Sequence, residues 1–342
     1  MNNHHISLEF NKVLENLSKY ATSLIAKKEC LNLPLYTKKA QIDYELNLVS
    51  QARKIIDDTQ QYLPIGEITD IEECFKNNFL TAEEIFEITK NLTFARLSKN
   101  YISKNNSDEL SEISNSIYTN KELEDKIYSI FDSELNIKDE ASNELKSLRN
   151  SLRDNKDNLK GAISNLLLNN SFLNNLQDTV VSTRDNRPVF QVKASCKNKV
   201  QGIIHDVSST NLTFFIEPTT LIPLSNKIRQ IEIQIQTEID RILLSLSNQF
   251  KELTNELMQN QKILARLDLI FAKARYAIHL KASQPDIVED KIIDIQGMLH
   301  PLLIEIKDEI IPNDFQMGID YDCLLITGAN TGGKTVAIKT LG

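Results

Sequence analysis

Hydrophobic side chains in the first hundred positions recur every three or four residues, which is the spacing of one face of an α-helix. The first stripe comprises Phe10, Val13, Leu14, Leu17, Tyr20, Ala21 and Leu24. Pro34 lacks an amide hydrogen and is expected to end this helix, and Thr37 stands at a capping position for the next one. Thr81 and Glu84 form a capping box for a further helix. The pattern predicts a compact helical region, with residues 103–116 as a polar surface connection or part of a longer helix.

Two longer hydrophobic stripes follow. The first comprises Leu145, Leu148, Leu152, Leu159, Ile163 and Leu166. The second comprises Ile228, Ile231, Ile235, Ile239, Ile242, Leu246, Phe250, Leu253 and Leu257. The second stripe has a mean spacing of about 3.6 residues, so it predicts a nearly straight helix about 45 Å long. An apolar stripe cannot stay in water, and the two stripes therefore predict long antiparallel helices packed on each other. Two ordinary helices of one bundle are the alternative interpretation.

Between the two stripes the spacing of apolar residues changes to every second position, which is the period of a β-strand. The sequence alternates on both sides of two turn-prone tetrads, 184–187 and 208–211, which predicts a small β unit. Its cations are Arg184, Arg187, Lys193, Lys197 and Lys199. They outnumber the carboxylates of residues 180–206 by three. This surplus suits contacts to phosphates or, alternatively, a solvated sheet edge that discourages strand addition.

The last part of the chain contains the motif that is most specific for a chemical function. Pro285 marks a boundary near residue 286, and short strands are expected from Ile292 onward. An apolar run, Cys323–Thr327, is expected to be a buried strand that leads into a match to G-x-x-x-x-G-K-[ST]. The motif comprises Gly328, Ala329, Asn330, Thr331, Gly332, Gly333, Lys334 and Thr335.

This motif predicts a loop that binds the phosphates of ATP. Glycines let successive amides point at phosphate oxygens, and the helix expected over Thr335–Leu341 adds the positive end of its dipole. We expect Lys334 to reach the β and γ phosphates and the Thr335 hydroxyl to ligate Mg²⁺. Hydrolysis also needs a Walker-B carboxylate and a group that orients water, both on strands after the loop. Because only seven residues follow Thr335, we expect a fragment that binds ATP but is not active alone.

Composition and charge narrow the class of protein. The 342 residues are 41% hydrophobic and 25% charged, as in soluble globular proteins of two or three domains. The formal charge of −8 confines any nucleic-acid contact to a local patch. The four cysteines are far apart, and neither a signal peptide nor a membrane-spanning stretch stands out. We expect a cytoplasmic protein without a membrane partner, in which His205 and His279 are structural because no second metal ligand stands nearby.

Several segments resemble the MutS ATPases. They are GANTGGKT, with Asn330 and Thr331 inside the loop, GMLHPLL, IIPNDF and DLIFAKARYA. GIIHDVSSTNLTFFIEP and LEFNKVLENLSKYA resemble, more specifically, the branch that lacks mismatch-reading domains and carries a C-terminal Smr nuclease domain. The resemblance implies a mainly α fold. It would have a helical core, long antiparallel lever helices, a small β clamp at their tip and the start of an α/β, ABC-type ATPase domain.

The resemblance also implies a homodimer whose two ATP sites form across the dimer. It implies Ile311, Pro312 and Asn313 on the adenine side and His300 near the nucleotide pocket. Members of this branch are linked to suppressing homologous recombination by binding branched DNA and to splitting collided ribosomes. Residues 297–298 are Gly-Met where the family more often has Ala-Arg, which is a departure. Walker-B, signature and nuclease functions fall on no residue of this sequence.

The predicted organisation has five parts. They are a helical core (1–118), an ascending lever helix (119–175), a β clamp (176–224), a descending lever helix with return to the core (225–285), and the N-terminal part of the ATPase domain (286–342). The leading interpretation is an ATP-regulated clamp that closes on DNA or on a ribosome. The alternative is an assembly scaffold whose arms bind a protein partner and in which ATP controls dimerisation only, an interpretation that the acidic net charge favours.

Overall fold

The computed structural model describes residues 7–77, 79–105, 108–306, 309–328 and 333–342. These residues form mainly α-helices with a small antiparallel sheet, and the predicted mainly α character is confirmed. The chain divides into two compact units. The first contains Met1–Asp125 and Phe250–Gly342, and the second contains Lys126–Gln249.

The described residues form twelve α-helices and six β-strands. The helices are α1 (Phe10–Ser18), α2 (Leu24–Cys30), α3 (Lys39–Thr59), α4 (Ala82–Lys104), α5 (Asp108–Asn115), α6 (Lys121–Ile130), α7 (Asn143–Leu167), α8 (Asn170–Leu173), α9 (Ile222–Glu252), α10 (Thr254–His279), α11 (Pro301–Ile304) and α12 (Lys334–Leu341). The strands are β1 (Leu176–Arg184), β2 (Arg187–Lys193), β3 (Gly202–Val207), β4 (Thr213–Pro218), β5 (Ile293–Met298) and β6 (Asn313–Met317). Short 3₁₀ turns occupy Cys74–Lys76, Asp139–Ala141 and Ala194–Lys199.

Helix α10 forms the centre of the first unit. It packs against α2, α3 and α4, and Leu264, Leu267, Ile270 and Phe271 lie in the shared core. Its buried polar residues hold loops in place. The side-chain amide of Asn260 accepts the amide hydrogen of Tyr118 and donates to the Tyr118 carbonyl, both at 2.8 Å. Because a buried amide is costly unless bonded, these two bonds fix the loop after α5 on the central helix.

The hydrophobic stripe that begins at Phe10 forms two helices, so the prediction of one continuous helix is wrong. Residues 19–23 separate α1 from α2. The buried carboxylate of Asp268 on α10 accepts the amide hydrogens of Thr22 and Ser23, and Ser23 caps α2 through its hydroxyl. The break is stabilised by an acceptor 246 positions away along the chain, which local periodicity does not reveal.

The N-cap predicted from the sequence is present at one helix of the first unit and absent at another. Thr81 and Glu84 form the predicted capping box of α4, and both hydrogen bonds are present. The prediction that Thr37 caps α3 is wrong, because Lys38 occupies the N-cap position and no side chain caps this helix. Within the polar stretch 103–116 the structure contains helix α5.

The four-stranded sheet of the second unit has the antiparallel order β1-β2-β4-β3. Asp185 and Asn186 join β1 to β2 with φ of 48° and 61°, as a two-residue hairpin with a type I′ turn requires, and the predicted turn is confirmed. Phe190 and Ile216 are cross-strand partners on the face that carries the core. The C-terminal part of α7, including Leu159, packs against this face.

Helices α7 and α9 contact each other through polar groups in the second unit. Ser142 caps α7 and donates its hydroxyl to Glu238 of α9 at 2.7 Å. Lys156 of α7 lies 3.3 Å from Glu232 of α9, so the contacts run in opposite order along the two helices. The long helix predicted from Ile228 to Leu257 is interrupted at Leu253, whose amide bonds only three residues back. The stripe keeps its spacing through this tightened turn, so the pattern does not reveal it.

The C-terminal part of the first unit contains a two-stranded antiparallel sheet of β5 and β6, as predicted from Ile292 onward. The prediction of a buried strand at Cys323–Thr327 is wrong, since this run has no regular structure and is exposed. A strand needs a neighbour to bond its amides and carbonyls, and no described strand pairs with this run.

Candidate functional site

Two glycines flank the predicted phosphate loop. Gly328 has φ of 141° and Gly333 has φ of 81°, values that residues with a β-carbon rarely adopt. Helix α12 begins at Lys334, directly after Gly333, so the unpaired amides of its first turn lie at the loop. The Lys334 ammonium group donates to the Gly328 carbonyl and closes the two ends of the loop on each other. Ala329, Asn330, Thr331 and Gly332 lie outside the described residues.

A cavity of about 440 Å³ adjoins the start of α12. Thr335 and Lys339 line it together with α1 and α11. Lys339 pairs with Glu9 at 2.6 Å, and hydrogen bonds from Lys12 and Lys339 lower the pKa of Glu9 to about 2. His300 also lines this cavity.

The histidine of the GMLHPLL segment has a defined role at this cavity. His300 is buried, and its Nδ1 accepts the Leu302 amide hydrogen at 3.2 Å, which caps α11. Burial lowers the pKa of His300, so the ring is neutral at pH 7. His300 lines the same cavity as Thr335, and its place near a nucleotide pocket stays a prediction.

The segment predicted on the adenine side forms the entry to β6. Asn313 is the cross-strand partner of Met298, and the Asp314 carboxylate accepts the Gly297 amide hydrogen at 2.8 Å. The GMLHPLL and IIPNDF segments are therefore paired with each other, a contact that the sequence did not predict. Ile311 is 83% exposed beside Pro312.

The two arginines of the basic cluster are engaged in the four-stranded sheet. Arg187 is 28% exposed, contacts Glu217 at 3.1 Å and donates to Asn226 at 2.6 Å. Arg184 bonds to Asp206 at 3.0 Å and stacks 4.2 Å from the centre of the Phe215 ring. Part of the local surplus of positive charge is therefore neutralised within the sheet.

Two of the three lysines of the cluster, Lys197 and Lys199, are more accessible than the arginines. The Lys193 ammonium donates to the Asn174 carbonyl at 3.2 Å, and Lys197 lies 4.6 Å from the centre of the Phe214 ring. Lys197 and Lys199 are exposed on the 3₁₀ turn between β2 and β3. Of the predicted cations, Lys197 and Lys199 present their charge most directly to solvent.

Glu217 is a residue of this cluster that the sequence analysis missed. Its side chain is fully buried on β4, where it accepts from Arg187 and bonds to His205 Nε2 at 2.9 Å. Burial raises the pKa of Glu217, but its polar surroundings, including hydrogen bonds to His205 and Arg187, outweigh burial, and the net pKa is lowered. A carboxylate inside the apolar run TFFIEP was the signal that could have indicated a partner for the nearby cations.

No protein-family model matches the chain. The chain is 35% identical over 344 residues to the Endonuclease MutS2 of Clostridioides difficile (strain 630), which covers 98% of the chain and 43% of that protein. The chain belongs to the MutS2 family. The MutS2 endonucleases of Halothermothrix orenii and Bacillus velezensis are 36% and 34% identical, each over 98% of the chain and 44% of the relative.

The chain spans somewhat less than half the length of the MutS2 relatives it matches. These relatives are named as endonucleases. Within the described ranges, no helix is long and apolar enough to cross a membrane.

Proposed function

We propose that the chain is the nucleotide-sensing and DNA-contacting part of a MutS-type ATPase. The observation that carries this proposal is the similarity to MutS2 endonucleases along 98% of the chain, including a phosphate-loop motif. The backbone around this motif suits the task, since glycines with positive φ precede a helix N-terminus. Both features direct backbone amides toward a bound anion, as the binding of a triphosphate requires.

ATP and Mg²⁺ are the proposed cofactors, and the residues present fit them. Lys334 would bind the β and γ phosphates, and the Thr335 hydroxyl would ligate Mg²⁺, which neutralises charge on the phosphates. Backbone amides of the motif, from Gly328 to Gly333, are proposed to form the remaining cradle. Ile311, Pro312 and Asn313 are proposed for the adenine side, and the pairing of Asn313 with Met298 of the GMLHPLL segment supports this proposal.

The second unit is proposed to act as lever and clamp. In this proposal α7 and α9 are the lever helices, and the four-stranded sheet contacts DNA through Arg184, Lys193, Lys197 and Lys199. Arg187, whose charge is neutralised by the buried Glu217, supports this surface by holding the sheet together. The whole protein would be a cytoplasmic homodimer that binds branched or double-stranded DNA, suppresses recombination or acts on stalled ribosomes. The acidic net charge of −8 favours a second candidate, an assembly scaffold in which ATP controls dimerisation only.

Nucleotide binding is tested with the Lys334→Ala variant. Removing an ammonium that bonds to phosphate costs about 1.5–3 kcal/mol, so the affinity for a fluorescent ATP analogue should fall by about tenfold or more. The matched control is Lys104→Ala, since Lys104 is an exposed residue at the end of α4. Equal affinity of the Lys334→Ala variant and the wild type would contradict the proposed loop.

Titration with nucleic acid distinguishes the clamp proposal from the scaffold proposal. The full-length protein is titrated with branched DNA, linear duplex DNA and ribosomes at physiological salt, with and without ATP. The clamp proposal expects saturable binding to at least one of these that depends on nucleotide. Dimerisation by ATP without binding to any of them would support the scaffold.

A further inference from the structure

Helix α7 carries a regular row of cations beside its apolar stripe. The row comprises Lys146, Arg149, Arg153, Lys156 and Lys160. The spacing of three and four residues places all five on one strip of the helix surface. The fourteen steps along the helix from Lys146 to Lys160 rise by about 21 Å.

Four of the five cations are available at the surface. Arg149 is half-buried, donates to the Ile137 carbonyl at 2.8 Å and pairs with Asp139 at 2.5 Å, so it holds the segment before α7. The side chains of Lys146, Arg153, Lys156 and Lys160 are exposed. We call these four the α7 cation row.

The ion pairs in this row are weakly held. Lys160 contacts Asp157 at 3.2 Å with both side chains mostly exposed, and Lys156 contacts Glu232 at 3.3 Å. Lys146 and Arg153 form no ion pair with any residue in the described ranges. Exposed pairs of this kind contribute little and are screened by salt, so a phosphate can replace the carboxylate.

The charged and polar side chains of the row favour a polyanion over a protein as its binding partner. A protein surface is normally bound through buried aromatic or aliphatic anchors, and the residues on this strip between the cations, such as Asn150, are polar. A straight row of charges suits a polyanion that is straight over the same length. Duplex DNA has one phosphate per 3.4 Å of each strand, so about 21 Å spans about six base pairs, far below its persistence length.

We propose that the α7 cation row is a second contact surface for the phosphate backbone of double-stranded DNA. The inference rests on the proposed function that this chain contacts DNA, and it adds a site outside the sheet. Binding at the row is independent of base sequence and steeply dependent on salt, because it releases counterions from phosphates.

The test uses the full chain with Lys146→Gln, Arg153→Gln and Lys160→Gln combined. Glutamine has a helix propensity close to that of lysine and arginine, so α7 is retained, which circular dichroism verifies. The matched control combines Lys19→Gln, Lys28→Gln and Lys38→Gln, three exposed cations of the first unit. A sheet variant combines Lys193→Gln, Lys197→Gln and Lys199→Gln. Fluorescence anisotropy with a labelled 40-base-pair DNA between 50 and 200 mM KCl measures affinity and its salt slope.

The row variant should bind at least tenfold more weakly at 100 mM KCl. Its log–log salt slope should decrease by about 2.7, which is 0.9 for each lost phosphate contact. The control should match the wild type. An equal loss in the control would overturn the inference, because the effect would then follow net charge alone.

The remaining outcomes distinguish the inference from the proposed function. If the sheet variant weakens binding and the row variant does not, the inference fails and the proposed function stands. If the wild type does not bind duplex DNA, both fail. The same titrations are made with a duplex RNA of equal length and with an acidic peptide. If the row variant loses affinity for only one of these and not for the DNA, DNA is not the partner of this surface.

Discussion

The buried carboxylate of Glu217 is expected to hold the four-stranded sheet together, and Glu217→Gln removes its charge while keeping its shape. Glu217 lies on β4, and its partners Arg187 and His205 lie on β2 and β3. One side chain therefore joins three strands. The substitution leaves Arg187 with a neutral acceptor and places an amide beside the imidazole.

The size of the effect follows from burial. Removing one partner of a fully buried pair costs about 3–5 kcal/mol. Here Glu217 is fully buried, but Arg187 is 28% exposed and keeps its bond to Asn226, so water and Asn226 recover part of the loss. We expect the substitution to cost about 2–3 kcal/mol, as measured for charge-assisted hydrogen bonds.

Hydrogen exchange followed by mass spectrometry is the suitable measurement, because a chain of two units need not unfold in one step. Amides of β2 and β4 should exchange about 30- to 150-fold faster in the Glu217→Gln variant, since 1.4 kcal/mol corresponds to a factor of ten. Amides of α10 in the first unit should not change. The control is Glu232→Gln, whose pair with Lys156 is partly exposed and should contribute less than about 1 kcal/mol.

Two outcomes would refute this reasoning. Exchange of β2 and β4 at the wild-type rate would show that the Glu217 charge contributes nothing to the sheet. Equal acceleration in the Glu232→Gln variant would show that any lost carboxylate has the same effect, so burial would not be the cause.

Two further predictions concern the same carboxylate and the one on α10. The lowered pKa of Glu217 gives a stabilisation that is complete above the unfolded value of about 4.5 and is lost as pH falls through the lower folded value. Exchange of β2 and β4, corrected for intrinsic rate, should therefore accelerate on acidification, and less so in Glu217→Gln. Asp268→Asn should cost about 2–3 kcal/mol, because the Thr22 and Ser23 amides lose a charged acceptor. Amides of α2 measure that loss, with the exposed Asp43→Asn as control.

The sequence predicted those features of the fold that depend on neighbours along the chain. The stripe from Leu145 to Leu166 forms α7, the capping box starts α4, and the Asp185-Asn186 turn joins β1 to β2. Each is governed by side chains within one helix or one turn. Propensity and periodicity report such interactions directly.

The features that the sequence did not predict depend on distant residues. Asp268 stabilises the break between α1 and α2 from a distant part of the chain, and Cys323–Thr327 is not a strand because no described strand pairs with it. The same limit applies to the candidate site. The phosphate-loop motif was recognised as a local pattern, whereas the partner of Arg187 is Glu217, thirty positions further along. Counting cations in a segment could not show which of them are neutralised.

Whether a cation can bind a nucleic acid depends on the energy of the ion pair that it must give up. Counterion release stabilises one phosphate contact by about 1.2 kcal/mol at 0.1 M salt relative to 1 M salt. The reason is that the association constant changes by about 0.9 of a decade for each decade of salt concentration. Arg187 would lose about 2–3 kcal/mol by leaving Glu217, so it gains nothing by moving to a phosphate. An exposed pair such as Lys160 with Asp157 is worth about 0.2–1 kcal/mol, and its exchange is favourable. On this argument substitution of Arg187 weakens DNA binding through the fold, with little change in salt slope, while substitution of Lys160 or Lys199 lowers the slope and leaves the fold intact.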